Sequence, residues 1–205
     1  MTTKKIKYFT LLAFFTTIQV VLTFTPLGFL RIGPISATTL HIPVILAGML
    51  LGPKCGAIIG GLFGFCSFIN ATIAPTLTSF LFTPFYQVGN ISGNYCSLLI
   101  VFIPRILLGY ISGKMFEQLK IKNLTTKLII TASISTFIHT TMVLAMIYIF
   151  FYEEYAMVIG ISGNMLLTML VGIVLTNGVF EMILAAVIDS SLYKATYKQV
   201  KRMIG

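Results

Sequence analysis

A chain of 205 residues that is 57% hydrophobic, only 9% charged and has a mean hydropathy of +0.98 lies far outside the soluble range, where roughly 25% of residues are charged. Fourteen basic against five acidic residues give a net charge of +9, a balance that would suggest nucleic acid if the charges did not fall in the gaps between apolar runs. There, lysines meet anionic headgroups, so the composition excludes a soluble domain and points to an all-α integral membrane protein in contact with lipid, with no nucleic acid as partner.

The basic start Lys4, Lys5, Lys7 precedes an apolar run over about 8–30. The run is longer than a signal-peptide core and no cleavage site follows it, so it reads as a first span. On one of its faces Ala13 and Thr17, four residues apart, would admit a close partner helix.

From Gly33 to Asn70 come two apolar runs, about 40–53 and 55–70, hinged at Pro53-Lys54. A run of about 14 residues reaches only ~21 Å against a hydrocarbon core of roughly 30 Å, so both are expected as short spans. Gly48, Gly52, Gly56, Gly60 and Gly64 recur every fourth position. On a helix that spacing clears one stripe of side chains for close backbone packing. Thr38 or Thr39 is expected to cap the second span, whose first turn holds His41 and Pro43.

About 25 residues follow Asn70 with Pro75, Pro84, Gly89 and Gly93 among threonines and aromatics. So long a loop with Phe80, Phe82, Phe85 and Tyr86 and few charges reads as an ordered lid at the membrane surface. Further spans are expected over about 96–116, 128–152 and 165–188, making six. With the N-terminus inside, the lysines at 4–7, 54, 114–127 and 194–201 are all cytoplasmic, and only Arg31 among basic residues lies outside. Both termini are then cytoplasmic and the long loop faces outward.

Strongly polar groups inside the spans are few, and each must face protein or a polar cavity. Arg105 lies roughly 13 Å deep in the fourth span and His139 roughly 20 Å deep in the fifth, at ~1.5 Å per residue. Asn177 is near the middle of the sixth, with Glu181 one turn further in on the same face. Arg105 either holds an anionic group through its forked donors or staples two helices by pairing with Glu181. His139 lines a pocket or bonds a neighbouring helix. His41, Asn70, Tyr86, Asn94 and Tyr95 border the entrance, where amides and aromatics suit a polar small molecule.

Cys55, Cys66 and Cys96 show no CxxC spacing and read as packing residues. The three Asn-X-Ser/Thr triplets carry no weight. No P-loop, metal-ligand cluster, GxSxG or HExxH is present, so neither an ATP-driven motor nor a bound cofactor or metal is expected. An intramembrane enzyme using His139 and Glu181 as acid and base lacks a nucleophile motif.

The stretch GPISATTLHIPVILAGMLLGPKCGAIIGGLFGFCSFINATIAPTLTSFLFTPF, followed by PRILLGYISG, resembles the substrate-binding S components of bacterial energy-coupling-factor vitamin transporters, most closely the pantothenate type. The resemblance implies a six-helix protein of the bacterial cell membrane that is not an enzyme and binds a vitamin from outside. It implies as partners a transmembrane T component and two ATPases, whose work topples the S component to carry its site inward. S components often carry an alanine pair in the first span to contact the T component; here Ala13 fits, with Thr17 in the second place. Pantothenate offers one carboxylate for Arg105 and an amide and hydroxyls for Asn177, Asn94 or Asn70; riboflavin or another vitamin is the alternative.

Overall fold

The computed structural model describes residues 3–32 and 35–204. Among them five helical segments are long and apolar enough to cross a membrane, and a sixth apolar helix is shorter. The protein is an all-α, multi-pass membrane protein.

Helix α1 spans Thr3–Thr23. The apolar run continues to Leu30, but Pro26 ends the helix early because proline drives the residue before it out of the helical region. The chain instead makes a 3-10 turn at Pro26–Gly28 and a hairpin of β1 (Phe29–Ile32) and β2 (Ile35–Thr38), with Phe29 opposite Thr38. The first span is thus shorter than the apolar run, and a hairpin not visible in the hydropathy pattern follows it.

Helix α2 (His41–Leu51) is short as expected, about 16 Å at ~1.5 Å per residue, and nearly every side chain on it is buried. A helix apolar all round belongs inside protein, away from lipid. The threonine cap does not form: Leu40 occupies the cap position without a side-chain bond, and the Thr39 hydroxyl donates to the Leu27 carbonyl instead (2.7 Å). Gly52, at φ +89°, makes the break before α3 (Pro53–Ile73), a backbone state that glycine adopts without strain, and Pro53 opens the new helix. At 21 residues α3 is a full crossing of ~31 Å, longer than the half-length span read from the apolar run, because Pro53 and Lys54 open the helix before it and Ala71, Thr72 and Ile73 continue it beyond.

The glycine stripe packs against α4 (Tyr95–Gln118), and α3 with α4 forms the most extensive helix pairing in the molecule. A β-carbon on Gly56 would strike the carbonyl of Gly109, one on Gly60 the carbonyl of Arg105, and one on Gly48 the Ser112 hydroxyl. Bare backbones therefore meet, as helices do when small residues line their interface.

Helix α5 (Leu124–Ile159) runs 36 residues and bends at Phe151 (φ −138°, ψ 30°). That bend lies where the sequence places the end of the span, and Glu153-Glu154 continue the helix beyond it. Helix α6 (Gly163–Ile173) passes through a π turn at Val174–Gly178 directly into α7 (Val179–Ile204). The loop after α3 is ordered, with a 3-10 turn at Ser79–Leu81 and a hairpin of β3 (Gln87–Val88) and β4 (Ile91–Ser92). Phe80 is fully buried edge-to-face on Phe151 (5.8 Å), while its carbonyl accepts from the Ser97 hydroxyl (2.7 Å). The three cysteines are unpaired and Cys66 is buried in packing.

Candidate functional site

Arg105 follows Pro104 in the middle of α4. Proline has no N–H, so it leaves the carbonyl four residues back without its helical donor. That carbonyl belongs to Ile100, and Arg105 Nη1 donates to it at 3.0 Å. The proline-arginine step is thus one local device: the proline opens a carbonyl and the arginine folds back to fill it.

The buried guanidinium lies between two rings, Phe63 of α3 (5.0 Å) and Phe82 of the ordered loop (5.4 Å). Two aromatic faces compensate a desolvated cation by ~2 kcal/mol or more. They do so without using its N–H donors, and Nε is buried with no partner among the described residues. The alternative of a staple to Glu181 is not formed. Among the described residues, the carboxylate of Glu181 accepts instead from the Thr38 N–H (2.8 Å), the Thr38 hydroxyl (3.2 Å) and the Thr140 hydroxyl (3.4 Å). It ties the end of the β1–β2 hairpin and α5 to α7.

The Phe63 ring also reaches the ring of His139 on α5, 6.1 Å away and tilted by 35°. His139 is buried with Nε2 unpartnered among the described residues, and lies within electrostatic reach of Arg105 and of His41. His41, at the start of α2, is likewise buried with Nε2 unpartnered among the described residues and lies beside Glu181. Buried polar atoms that lack partners are costly in an apolar medium, so three nitrogens kept bare on Arg105, His139 and His41 mark a layer able to hydrogen-bond a polar guest. Asn177 sits half-buried in the π turn, four residues before Glu181. Such turns are frequent at functional sites.

The remaining entrance residues are spread out. Asn70 is half-buried near the end of α3, and Tyr86 packs at the edge of the Phe80–Phe151 cluster. Asn94 caps α4, its Oδ1 accepting from the Cys96 N–H (2.7 Å) in a capping box with Ser97, and Tyr95 is 87% exposed. Ala13 and Thr17 lie on an exposed face of α1, where the Thr17 hydroxyl donates to the Ala13 carbonyl (2.9 Å). Phe63 goes unnamed in the sequence, although it stands beside the glycine stripe that carries it to α4, and Phe82 reads there as part of the lid and not as a neighbour of Arg105. Gln19 and Asp189, which are fully buried without hydrogen-bond partners among the described residues, also go unnamed.

Residues 7–193 match the family model for the substrate-specific component of ECF transporters. The pantothenic acid transporter PanT of Lactococcus lactis subsp. cremoris is 37% identical over 167 residues, covering 80% of each chain. The pantothenate transporter PanT of Leuconostoc mesenteroides subsp. mesenteroides is 30% identical over 203 residues, covering 94% of this chain and 93% of its own. This chain therefore belongs to the substrate-specific component family of ECF transporters.

Proposed function

We propose that the chain is the vitamin-binding subunit of an ECF importer in a bacterial cell membrane, that its ligand is pantothenate, and that a T component and two ATPases energise it. The observation that carries this is Arg105, buried between two aromatic rings with most of its donors unspent. A cation so held suits a carboxylate, and the named relatives supply the vitamin. In this reading Arg105 binds the carboxylate, while His139, His41 and Asn177 meet the amide and hydroxyls and Asn70 and Tyr86 border the way in. The six-span count follows if α2 serves as a short span and α6, the π turn and α7 as one. The basic residues at the end carrying both termini support a cytoplasmic location for that end. Because the Thr17 hydroxyl is turned onto its own helix, Ala13 and Thr17 present a small, non-competing surface suited to a partner helix.

The test is equilibrium dialysis of the purified chain with labelled pantothenate, competed by riboflavin. Pantothenate is expected to bind and riboflavin to compete poorly. Arg105→Ala is expected to weaken binding about 100-fold, the effect of losing ~3 kcal/mol of charge-assisted hydrogen bonding. Unchanged affinity in that variant removes Arg105 from the carboxylate; preferential riboflavin binding overturns the choice of vitamin.

A further inference from the structure

The charged and polar groups of the candidate site follow one another in an order that has a direction. Arg105 of α4 stands at one end, and His139 of α5 shares the Phe63 ring with it. His41 of α2 comes next, and Glu181 of α7 stands beside His41. Hydrogen bonds fix that far end independently: Glu181 accepts from Thr140, the residue after His139, and from Thr38, three residues before His41. Helix α5 packs on both α4 and α7, so the guanidinium and the carboxylate belong to different walls of the layer. Taking pantothenate as the ligand, as above, we propose that this order fixes how it lies: carboxylate at Arg105, amide against the histidines, and terminal hydroxyl donating to Oε2 of Glu181.

The bonding of Glu181 leaves room for that hydroxyl. An ionised carboxylate offers about four acceptor sites, and Glu181 uses its two oxygens unequally. Oε1 accepts from the Thr38 N–H at 2.8 Å and from the Thr38 hydroxyl at 3.2 Å, while Oε2 accepts only from the Thr140 hydroxyl, at 3.4 Å. That bond is longer than the roughly 2.5–3.0 Å of a good hydroxyl bond. Oε2 is therefore open to a better donor, and as an anionic acceptor it favours an alcohol.

Pantothenate is unsymmetrical in the same sense. It ends in a carboxylate on one side and a primary alcohol on the other, with an amide and a second hydroxyl between. Turned round, it would set its carboxylate against Glu181 and leave the buried Arg105 facing an alcohol, so that like charges meet and a desolvated cation goes unpaired. The same repulsion acts on a ligand whose terminal alcohol carries a phosphate. Glu181 thus selects the unphosphorylated vitamin by excluding its phosphate ester as well as by accepting its hydroxyl.

The experiment is equilibrium dialysis of the full chain and its Glu181→Gln variant with four ligands: pantothenate, pantothenate lacking the terminal hydroxyl, pantothenate phosphorylated there, and pantothenol, whose carboxylate is replaced by an alcohol. The parent is expected to bind the deoxy analogue about 20-fold more weakly than pantothenate, the loss of one hydrogen bond to a charged group. It is expected to bind the phosphate ester about 100-fold more weakly, through like-charge repulsion. Glu181→Gln should weaken pantothenate and pantothenol alike by about tenfold, because both keep the terminal hydroxyl and a neutral amide accepts less strongly. It should weaken the deoxy analogue by less than threefold, whereas a residue that only held the hairpin would weaken all three equally. Should the variant fail to fold, the parent's ranking of the four ligands decides. A deoxy analogue bound as tightly as pantothenate by the parent, or weakened as much as pantothenate in the variant, overturns this orientation and leaves the vitamin in place. A parent chain that does not bind pantothenate overturns the choice of vitamin, and the orientation with it.

Discussion

Two halves of this molecule are packed by opposite means. Between α2, α3 and α4, glycines bring backbone against backbone, so Gly60 rests on the carbonyl of Arg105 itself. Around the loop after α3, the far end of α5 and α6, packing depends on large rings and aliphatics: Phe80, Phe151, Tyr155 and Leu166 fill one cluster. Backbone contacts have no rotamers with which to adjust, whereas side-chain clusters relax in part when one member changes. The glycine half therefore fixes the backbone that carries the cation. The aromatic half closes over it through Phe82, 5.4 Å from the guanidinium.

The largest expected effect comes from breaking the first half. Gly60→Leu should cost about 5 kcal/mol or more, beyond ordinary overpacking, because the added atoms meet backbone that cannot move aside. Its neighbour sharpens the comparison. A β-carbon on Gly61 meets only the Ile106 side chain at 3.7 Å, so Gly61→Leu should stay within about 1 kcal/mol. Thermal unfolding of the purified proteins checks the pair, and equal losses at both positions would refute the backbone-contact account.

Next in size is Phe80→Ala in the second half, expected to cost ~3 kcal/mol as a large-to-small change at a fully buried ring. Ligand affinity should fall as well, through the loop that carries Phe82, even though Phe80 itself does not touch Arg105. A binding isotherm beside the unfolding curve separates the two losses. Unfolding alone, with affinity intact, would show that the loop does not support the site.

Smallest is Asn94→Ala, which removes the cap of α4 and should cost about 1 kcal/mol. Because Asn94 is engaged with the Cys96 and Ser97 backbone, pantothenate affinity should change less than threefold, the factor that ~0.6 kcal/mol represents. A larger fall measured by dialysis would return Asn94 to the list of ligand contacts.

Much of this was legible in the residues because it depends on local or periodic information. Composition decides that the chain lives in a membrane, since 9% charge cannot cover a soluble surface. The four-residue glycine register announces a bare helix face whatever lies opposite. An arginine inside an apolar run must find protein or ligand, so the burial of Arg105 could be named without coordinates. Even the bond from Arg105 to Ile100 is implicit in Pro104, which frees a known carbonyl four residues back.

Other features depend on which distant groups meet, and no local pattern encodes that. Glu181 lies on one helix face with Asn177, yet whether it met Arg105 or the hairpin rested on the fold, which brings Thr38 to it across 143 residues. The aromatic sandwich joins Phe63 of α3 and Phe82 of the following loop to Arg105 of α4. The lengths of α1 and α3 escaped the hydropathy pattern because Pro26 ends one helix inside its apolar run, while Pro53, Lys54 and the residues after Asn70 extend the other beyond its run. Sequence alone determined the solvent, the close-packed stripe and the buried cation, because burial and periodicity act residue by residue. Only tertiary structure decided the partners, because hydrogen bonds and ring contacts depend on distances that the chain sets after it has folded.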